Sequence, residues 1–159
     1  MRDWRARMST HRYETRLRWT GSTALGWESY DRSHSATAPP AEQEIGLTTG
    51  ESKGDPSVLN PEQLLVMAAS SCQMLSFLHV AAKARLDVVE YEDAATGLMP
   101  DDANPLRITH ITLRPRIVLD GQADEERVRN LVQIAHDYCF IANSLNSDMA
   151  IEPDIEVRG

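Results

Sequence analysis

The feature that most constrains the fold of this chain is an apolar run near its middle, from Asn60 to Ala84. Asn60 is a good N-cap, and Pro61 and Glu62 suit a first helical turn, which tolerates a missing N–H and favours negative charge. Apolar residues then cover nearly every face for about 18 residues, which predicts one long helix that is buried on most sides. The polar residues that interrupt the run are Ser70, Ser71, Gln73, Ser76 and His79. These interruptions favour a core helix over a membrane span.

Length and composition indicate one soluble globular domain. The chain has 159 residues, of which 42% are hydrophobic and 25% charged, so it can bury a core of its own. Its net charge of −8 argues against nucleic acid and anionic membranes as partners. We expect residues 1–9 to form a loose N-terminal extension and residues 10–159 to form the domain. No apolar signal-peptide region accompanies the N-terminal arginines, so we expect a cytoplasmic protein.

Alternating apolar and polar residues predict six strands around the long helix. The predicted strands cover residues 10–19, 25–37, 44–49, 86–91 with an extension towards 99, 107–120 and 149–157. The first of them is expected to be half-buried, with Leu17 and Trp19 on its inner face. Short connections favour antiparallel pairing, so we expect an α+β fold with the helices on antiparallel sheets.

A second, amphipathic helix is predicted to start near Ala123. Its apolar stripe runs from Val128 to Cys139, which places Cys139 towards the end of the helix. A long helix that is apolar on all sides needs more cover than one sheet provides. We therefore expect a homodimer in which the two long helices are buried between the subunits.

The two cysteines allow two interpretations. Cys72 and Cys139 are 67 positions apart, which excludes CxxC redox motifs and cysteine-rich zinc sites. They are either two buried thiols without chemistry or a reactive pair. His79 shares a helix face with Cys72, but no metal-binding spacing is present, so we interpret it as a core or interface histidine.

Two segments carry a family resemblance. The pattern NPEQLLVMAASSC, followed by a strand–turn–strand and then AHDYCFIANSL, resembles the OsmC/Ohr family of thiol-dependent peroxidases. The resemblance covers about residues 10–158 and implies an OsmC-like fold in an intertwined homodimer. It also implies that Cys72 attacks a hydroperoxide and that Cys139 resolves the sulfenic acid as an intramolecular disulfide. Glu62 matches the family glutamate in NPE, and Arg32 in SYDRSH is the best match for the family arginine beside the attacking thiol.

Physical chemistry explains why such a site needs an arginine. A thiolate is the nucleophile, and burial of a thiol raises its pKa, so a reactive buried cysteine needs a nearby cation. Arg32 would supply that cation and Glu62 would orient it. Glu62 lies ten residues before Cys72, about 15 Å along a helix. Either Arg32 bridges this gap, or Glu62 serves Cys72 of the partner subunit.

The resemblance is to a less characterised subgroup, because Phe140 follows the second cysteine where the better-known organic hydroperoxide branch has proline. We expect a peroxidase that reduces organic hydroperoxides, is recycled by an external dithiol and needs no metal, flavin or nicotinamide. The alternative is a redox-sensing or small-ligand-binding dimer without significant turnover. Apolar residues expected near Cys72 favour a bulky apolar peroxide. They are Met67, Met74, Phe77, Tyr138 and Phe140.

Overall fold

The computed structural model describes residues 10–50 and 53–159, which contain nine strands and two α-helices. The predicted extension at residues 1–9 lies outside the described residues. The chain divides into two compact units, Met1–Pro61 and Glu62–Gly159. The α+β class predicted from the sequence is confirmed.

The first unit contains a three-stranded antiparallel sheet in the order β1 (Arg16–Arg18), β2 (His34–Thr37) and β3 (Glu44–Leu47). The predicted half-buried first strand is wrong, because β1 has three residues and Leu17 is 70% exposed. The predicted strand 25–37 is right only from His34 onwards. Before it lies a short 3-10 helix that Ser22 caps by accepting a hydrogen bond from the backbone N–H of Ala24.

The long helix α1 (Pro61–Lys83) matches the predicted helix to within one residue at each end. The burial of α1 differs from the prediction. A single stripe, Ala69, Gln73, Phe77 and Ala81, is fully enclosed, whereas Leu75 is 61% exposed. The chain's own sheets cover one face of the helix, so the prediction of burial on most sides is wrong for a single chain. By length and composition α1 would also suit a membrane span, a property that core helices share.

The second helix, α2 (Glu125–Asp137), begins after the N-cap Asp124, whose carboxylate accepts a hydrogen bond from the backbone N–H of Arg127. It ends two residues before Cys139. The prediction that Cys139 belongs to the helix is therefore wrong. Cys139 lies in the turn that follows, where its backbone N–H donates to the carbonyl of His136.

Six strands of the second unit form two three-stranded sheets, in the orders β4-β7-β9 and β5-β6-β8. The strands are β4 (Asp87–Asp93), β5 (Thr96–Leu98), β6 (His110–Leu113), β7 (Pro115–Asp120), β8 (Asp148–Ile151) and β9 (Asp154–Arg158). The two last predicted strands each divide in two, before Pro115 and at Pro153. Proline lacks a backbone N–H and interrupts a ladder of hydrogen bonds.

The strand directions correct a second prediction. The pairs β4–β7 and β5–β6 are antiparallel, but β6–β8 and β7–β9 are parallel. The sheets are therefore mixed rather than purely antiparallel. The segment between β7 and β8 contains α2, and a crossover of this length allows a chain to return in the same direction.

The core of the second unit lies where α1 meets the sheets. Phe77 and Ala81 pack with Ile117 and Leu119 of β7 and with three residues of α2. Those three are Val128, Val132 and Ala135. Ala69, one turn before Cys72, packs in a second cluster with Ile111 and Leu113 of β6. Cys72 therefore lies on α1 between two clusters of buried side chains.

Candidate active site: a cysteine pair beside an apolar cleft

The second unit brings the two predicted cysteines together. Cys72 on α1 is half-buried, Cys139 after α2 is fully buried, and neither is in a disulfide. The two thiols are neighbours, because a side-chain hydrogen bond with Cys72 contributes to raising the pKa of Cys139. Gln73 helps to hold this arrangement, because its side-chain amide on α1 donates to the carbonyl of Val132 on α2 at 3.1 Å.

The two thiols differ in their surroundings. Burial raises the pKa of Cys139, the backbone N–H of Ala142 acts in the opposite direction, and the neighbouring Cys72 raises the pKa further. The net shift is upward, which keeps Cys139 a protonated thiol at neutral pH. Cys72 is the cysteine of the pair with an accessible side chain.

A cleft of about 780 Å³ lies beside the pair. Its lining residues are Cys72, Leu75, Ser76, His79, Val80, Lys83, Ile134, Tyr138 and Phe140. The lining is mainly apolar, and Leu75, Tyr138 and Phe140 are more than half exposed. The expected placement of His79 on the face of Cys72 is confirmed.

The predicted apolar surroundings of Cys72 are right in part. Tyr138 and Phe140 line the cleft, but Met67, Met74 and Phe77 do not. Phe77 instead belongs to the core. On α1 the lining residues follow Cys72 at spacings of 3, 4, 7, 8 and 11, so helical periodicity counted from the cysteine would have found them.

Arg32 lies in the first unit. Its guanidinium donates to the carbonyl of Trp27 at 2.7 Å and to that of Tyr30 at 2.9 Å. It also lies 4.0 Å from the centre of the Tyr30 ring, a cation–π contact. In the part of the chain that the structure describes, no carboxylate pairs with this guanidinium. A small pocket of about 250 Å³ adjoins it, lined also by Trp19, Thr23 and His34.

Glu62 is exposed in the first turn of α1. It belongs to the second unit and Arg32 to the first, so their predicted pairing stays a prediction. Across residues 10–50 and 53–159, no group of three or more His, Cys, Asp or Glu side chains could hold a metal ion.

The family model of the OsmC-like proteins matches residues 54–154, well over half of the chain. The chain belongs to this family. The matched segment contains Glu62 and both cysteines, and it confirms the resemblance found in the two sequence patterns.

Solved structures of OsmC-like proteins share the fold. An OsmC-like protein of unknown function from Vibrio cholerae is 26% identical, with 91% of this chain and 100% of that one covered and a TM-score of 0.81. An organic hydroperoxide resistance protein OsmC from Legionella pneumophila is 13% identical, with 93% and 98% covered and a TM-score of 0.64. The organic hydroperoxide resistance protein OhrB of Bacillus subtilis is 16% identical, with the same coverage and a TM-score of 0.57. At 13% and 16% identity, the Legionella pneumophila and Bacillus subtilis structures show only that the fold is shared. No curated protein matches the chain.

The OsmC-like site contains one further residue that the sequence patterns did not indicate. Tyr91 on β4 is half-buried, and its ring centre lies 6.1 Å from that of Phe77. Burial raises the pKa of its phenol, and the charges of Asp93 and Cys139 raise it further. Tyr91 is therefore a protonated phenol that lies near enough to Cys139 to sense its charge. In the sequence, Tyr91 has no feature that distinguishes it from other strand residues. Its place near Cys139 is therefore visible only in the folded chain.

Proposed function

We propose that this OsmC-like chain is a cysteine-based peroxidase that reduces organic hydroperoxides. The observation that carries the proposal is the contact between the thiols of Cys72 and Cys139 beside an apolar cleft. A disulfide can form and break reversibly only if the two sulfur atoms lie close together in the reduced protein. Two buried cysteines without a chemical role would not have to lie next to each other.

Cys72 performs the first step, because its side chain borders the cleft while Cys139 is buried and protonated. The Cys72 thiolate attacks the terminal oxygen of the hydroperoxide. A sulfur–oxygen bond forms, the oxygen–oxygen bond breaks, and the alkoxide leaves and takes up a proton to become an alcohol. Cys72 is oxidised to a sulfenic acid.

Cys139 performs the second step. Its sulfur attacks the sulfur of the Cys72 sulfenic acid, the disulfide forms, and the hydroxyl group leaves as water with the proton of Cys139. An external dithiol then reduces the disulfide by thiol–disulfide exchange and is itself oxidised. The cycle uses no metal, flavin or nicotinamide.

We assign Arg32 the stabilisation of the Cys72 thiolate and of the developing alkoxide. The two backbone carbonyls that accept from its guanidinium hold it in place without neutralising it. Glu62 would orient Arg32, either on its own subunit or beside Cys72 of the partner subunit. Ten helical residues, about 15 Å, separate Glu62 from the thiol of its own chain, which favours an indirect role.

We further propose a cytoplasmic homodimer with no nucleic acid or membrane partner. Exposed apolar side chains on α1, among them Met67 and Leu75, support burial of this helix against a second copy. A cycle that depends on reduced thiols suits the cytoplasm, where thiols are kept reduced. The net charge of −8 does not favour anionic surfaces.

A thiol titration of the pre-reduced protein, before and after one equivalent of cumene hydroperoxide, tests the proposal. We expect the loss of two thiols per chain without intermolecular crosslinks. Cys139→Ser should lose one thiol and accumulate a sulfenic acid that dimedone traps, whereas Cys72→Ser should lose none. Steady turnover with dithiothreitol completes the test.

The outcomes separate the candidate functions. Disulfide formation without turnover on any dithiol would favour the redox-sensing alternative. Survival of both thiols would show that the peroxidase proposal is wrong and leave a small-ligand-binding dimer.

A further inference from the structure

The loop that carries Arg32 contains two carboxylates, and each of them is engaged elsewhere. Glu28 forms an ion pair with Lys53. Asp31 accepts a hydrogen bond from the backbone N–H of Ser33 at 2.8 Å, which lowers the pKa of its carboxyl. In the described part of the chain, the Arg32 guanidinium therefore has no carboxylate partner, although two carboxylates are close to it in the sequence.

Neutral groups hold the Arg32 guanidinium instead. The backbone carbonyls of Trp27 and Tyr30 accept hydrogen bonds from it at 2.7 and 2.9 Å. The central carbon of the guanidinium also lies over the Tyr30 ring, 4.0 Å from the ring centre. The face of an aromatic ring attracts a cation electrostatically but carries no net charge that could cancel it. The guanidinium is thus held in place with its positive charge intact.

The Tyr30 ring is itself fixed by its neighbours. The ring of Trp19 packs against it at an angle of 89°, with 6.2 Å between the ring centres, a favourable arrangement for two aromatic rings. The indole N–H of Trp19 donates to the carbonyl of Asp31 at 2.7 Å, which holds Trp19 on the same loop. The backbone N–H of Tyr30 donates to the carbonyl of Gly26 at 3.2 Å. The surface on which the guanidinium rests is therefore held from two sides.

The two aromatic rings closest to Arg32 serve different cations. The ammonium group of Lys53 lies 5.0 Å from the centre of the Trp27 ring, whereas the guanidinium of Arg32 lies 5.9 Å from it. Cation–π attraction extends to about 6 Å, so Trp27 acts mainly on Lys53 and only marginally on Arg32. Tyr30 is therefore the aromatic residue whose loss should affect Arg32 most.

We infer that Tyr30 is a positioning residue for Arg32. Its ring restricts the guanidinium to one orientation and leaves the charge available to a neighbouring anion. The two carbonyls use only part of the planar fork of N–H groups, so other donors of the fork can contact that anion. As a statement about catalysis, this inference rests on the proposed peroxidase function, in which the anion is the Cys72 thiolate. As a statement about side-chain position, it needs only the loop.

Substitution of Tyr30 tests the catalytic statement. Tyr30→Leu removes the aromatic face and keeps the backbone carbonyls, so it should slow the oxidation of Cys72 by one equivalent of cumene hydroperoxide about fivefold. Tyr30→Phe keeps the ring and should react at the normal rate. Tyr13→Leu makes the same change at a tyrosine of the first unit that is 87% exposed, and it is the matched control. Stopped-flow kinetics measures the four rates.

A double-mutant cycle separates positioning from a general effect on folding. If Tyr30 acts through Arg32, Tyr30→Leu should cause no further loss of rate in a chain that already carries Arg32→Ala. A further fivefold loss in that chain would show that Tyr30 supports the fold rather than the guanidinium, and would overturn the inference.

Nuclear magnetic resonance tests the position of Arg32 without requiring turnover. The side-chain signals of Arg32 are identified by their disappearance in Arg32→Lys. The ring current of Tyr30 should shift them upfield in the unsubstituted protein and in Tyr30→Phe. In Tyr30→Leu they should move towards the position found in the unfolded chain. Signals that are not shifted upfield, or that do not move in Tyr30→Leu, would overturn the inference.

The two proposals fail in different ways. Slow oxidation in Arg32→Ala together with a normal rate in Tyr30→Leu would overturn the inference and leave the proposed function intact. A normal rate in Arg32→Ala, or no oxidation of the unsubstituted protein, would show that the proposed function or its use of Arg32 is wrong. The resonance shifts alone would then decide whether Tyr30 positions Arg32.

Discussion

The side-chain amide of Gln73 on α1 donates a hydrogen bond to the backbone carbonyl of Val132 on α2, with 3.1 Å between Nε2 and the oxygen. Gln73 directly follows Cys72, and Val132 lies two helical turns before Cys139. Gln73 is fully buried, and its Oε1 has no partner among the described residues. This bond joins the helix that carries one cysteine to the helix that leads to the other.

Loss of this bond should destabilise the fold. Gln73→Ala removes the bond and leaves a cavity, so we expect the free energy of unfolding to fall by about 2–4 kcal/mol. Gln73→Met keeps most of the volume and removes the unpaired Oε1, so it should cost less. Urea unfolding of the reduced proteins measures both changes. Gln122→Ala, at an exposed position, is the control, and equal stability of the two alanine variants would contradict the prediction.

The two phenylalanines provide a matched pair for core and cleft. Phe77 is fully buried and Phe140 is 78% exposed. Phe77→Ala should lower the free energy of unfolding by about 3–5 kcal/mol. Phe140→Ala should change it by less than about 0.5 kcal/mol, as expected for a surface side chain.

For peroxidase activity, in contrast to stability, we expect the side chain of Phe140 to matter more than that of Phe77. Phe140 lines the cleft, so its loss should lower kcat/KM for a bulky apolar hydroperoxide about tenfold. The rate with hydrogen peroxide should not change, because so small a substrate makes no use of the apolar wall. Equal losses for both peroxides would show that Phe140 does not contact the substrate.

The rate of disulfide formation should depend on pH through Cys139. Burial raises the pKa of this thiol above the ordinary value of about 8.5, and its thiolate is the nucleophile that resolves the sulfenic acid. Below that raised pKa, the thiolate fraction grows about tenfold per pH unit, so resolution should accelerate steadily from pH 6 to pH 8.5. Acid-quenched thiol counts after one equivalent of hydroperoxide measure this rate. A rate that is constant across this range would mean that Cys139 is already ionised or does not resolve.

Arg32 should govern the first step. Arg32→Ala removes the cation proposed to stabilise the thiolate and the alkoxide, and should slow the oxidation of Cys72 by about 10²–10³-fold. Arg32→Lys keeps the charge but not the planar fork that donates to Trp27 and Tyr30, so it should recover only part of the rate. Stopped-flow kinetics with a single equivalent of hydroperoxide measures this. Arg18→Ala, on exposed β1, should react at the normal rate, and a normal rate in Arg32→Ala would remove Arg32 from the site.

Local patterns predicted the elements well wherever a strong signal was present. Asn60-Pro61-Glu62 and the apolar run placed α1 to within one residue at each end, because capping and periodicity act over a few neighbouring positions. The strand predictions were too long at Pro115 and Pro153, where proline interrupts the ladder, and also over residues 10–19 and 25–37, where the alternating pattern extends beyond the paired residues. The burial of α1 was overestimated because an apolar side chain does not reveal whether the same chain supplies its cover.

The sequence by itself determined the class of the fold, both helices, the OsmC-like family and the identity of the two cysteines as candidate site residues. These properties depend on side-chain type and on spacing along the chain. Tertiary structure alone decided that Cys72 and Cys139 interact, that Tyr91 is near enough to Cys139 to sense its charge and that an apolar cleft lies beside Cys72. It also decided the parallel pairing of β6 with β8 and of β7 with β9. Such contacts join residues far apart in the sequence, and they form because packing of α1 and α2 on the sheets fixes distances that local propensities leave open.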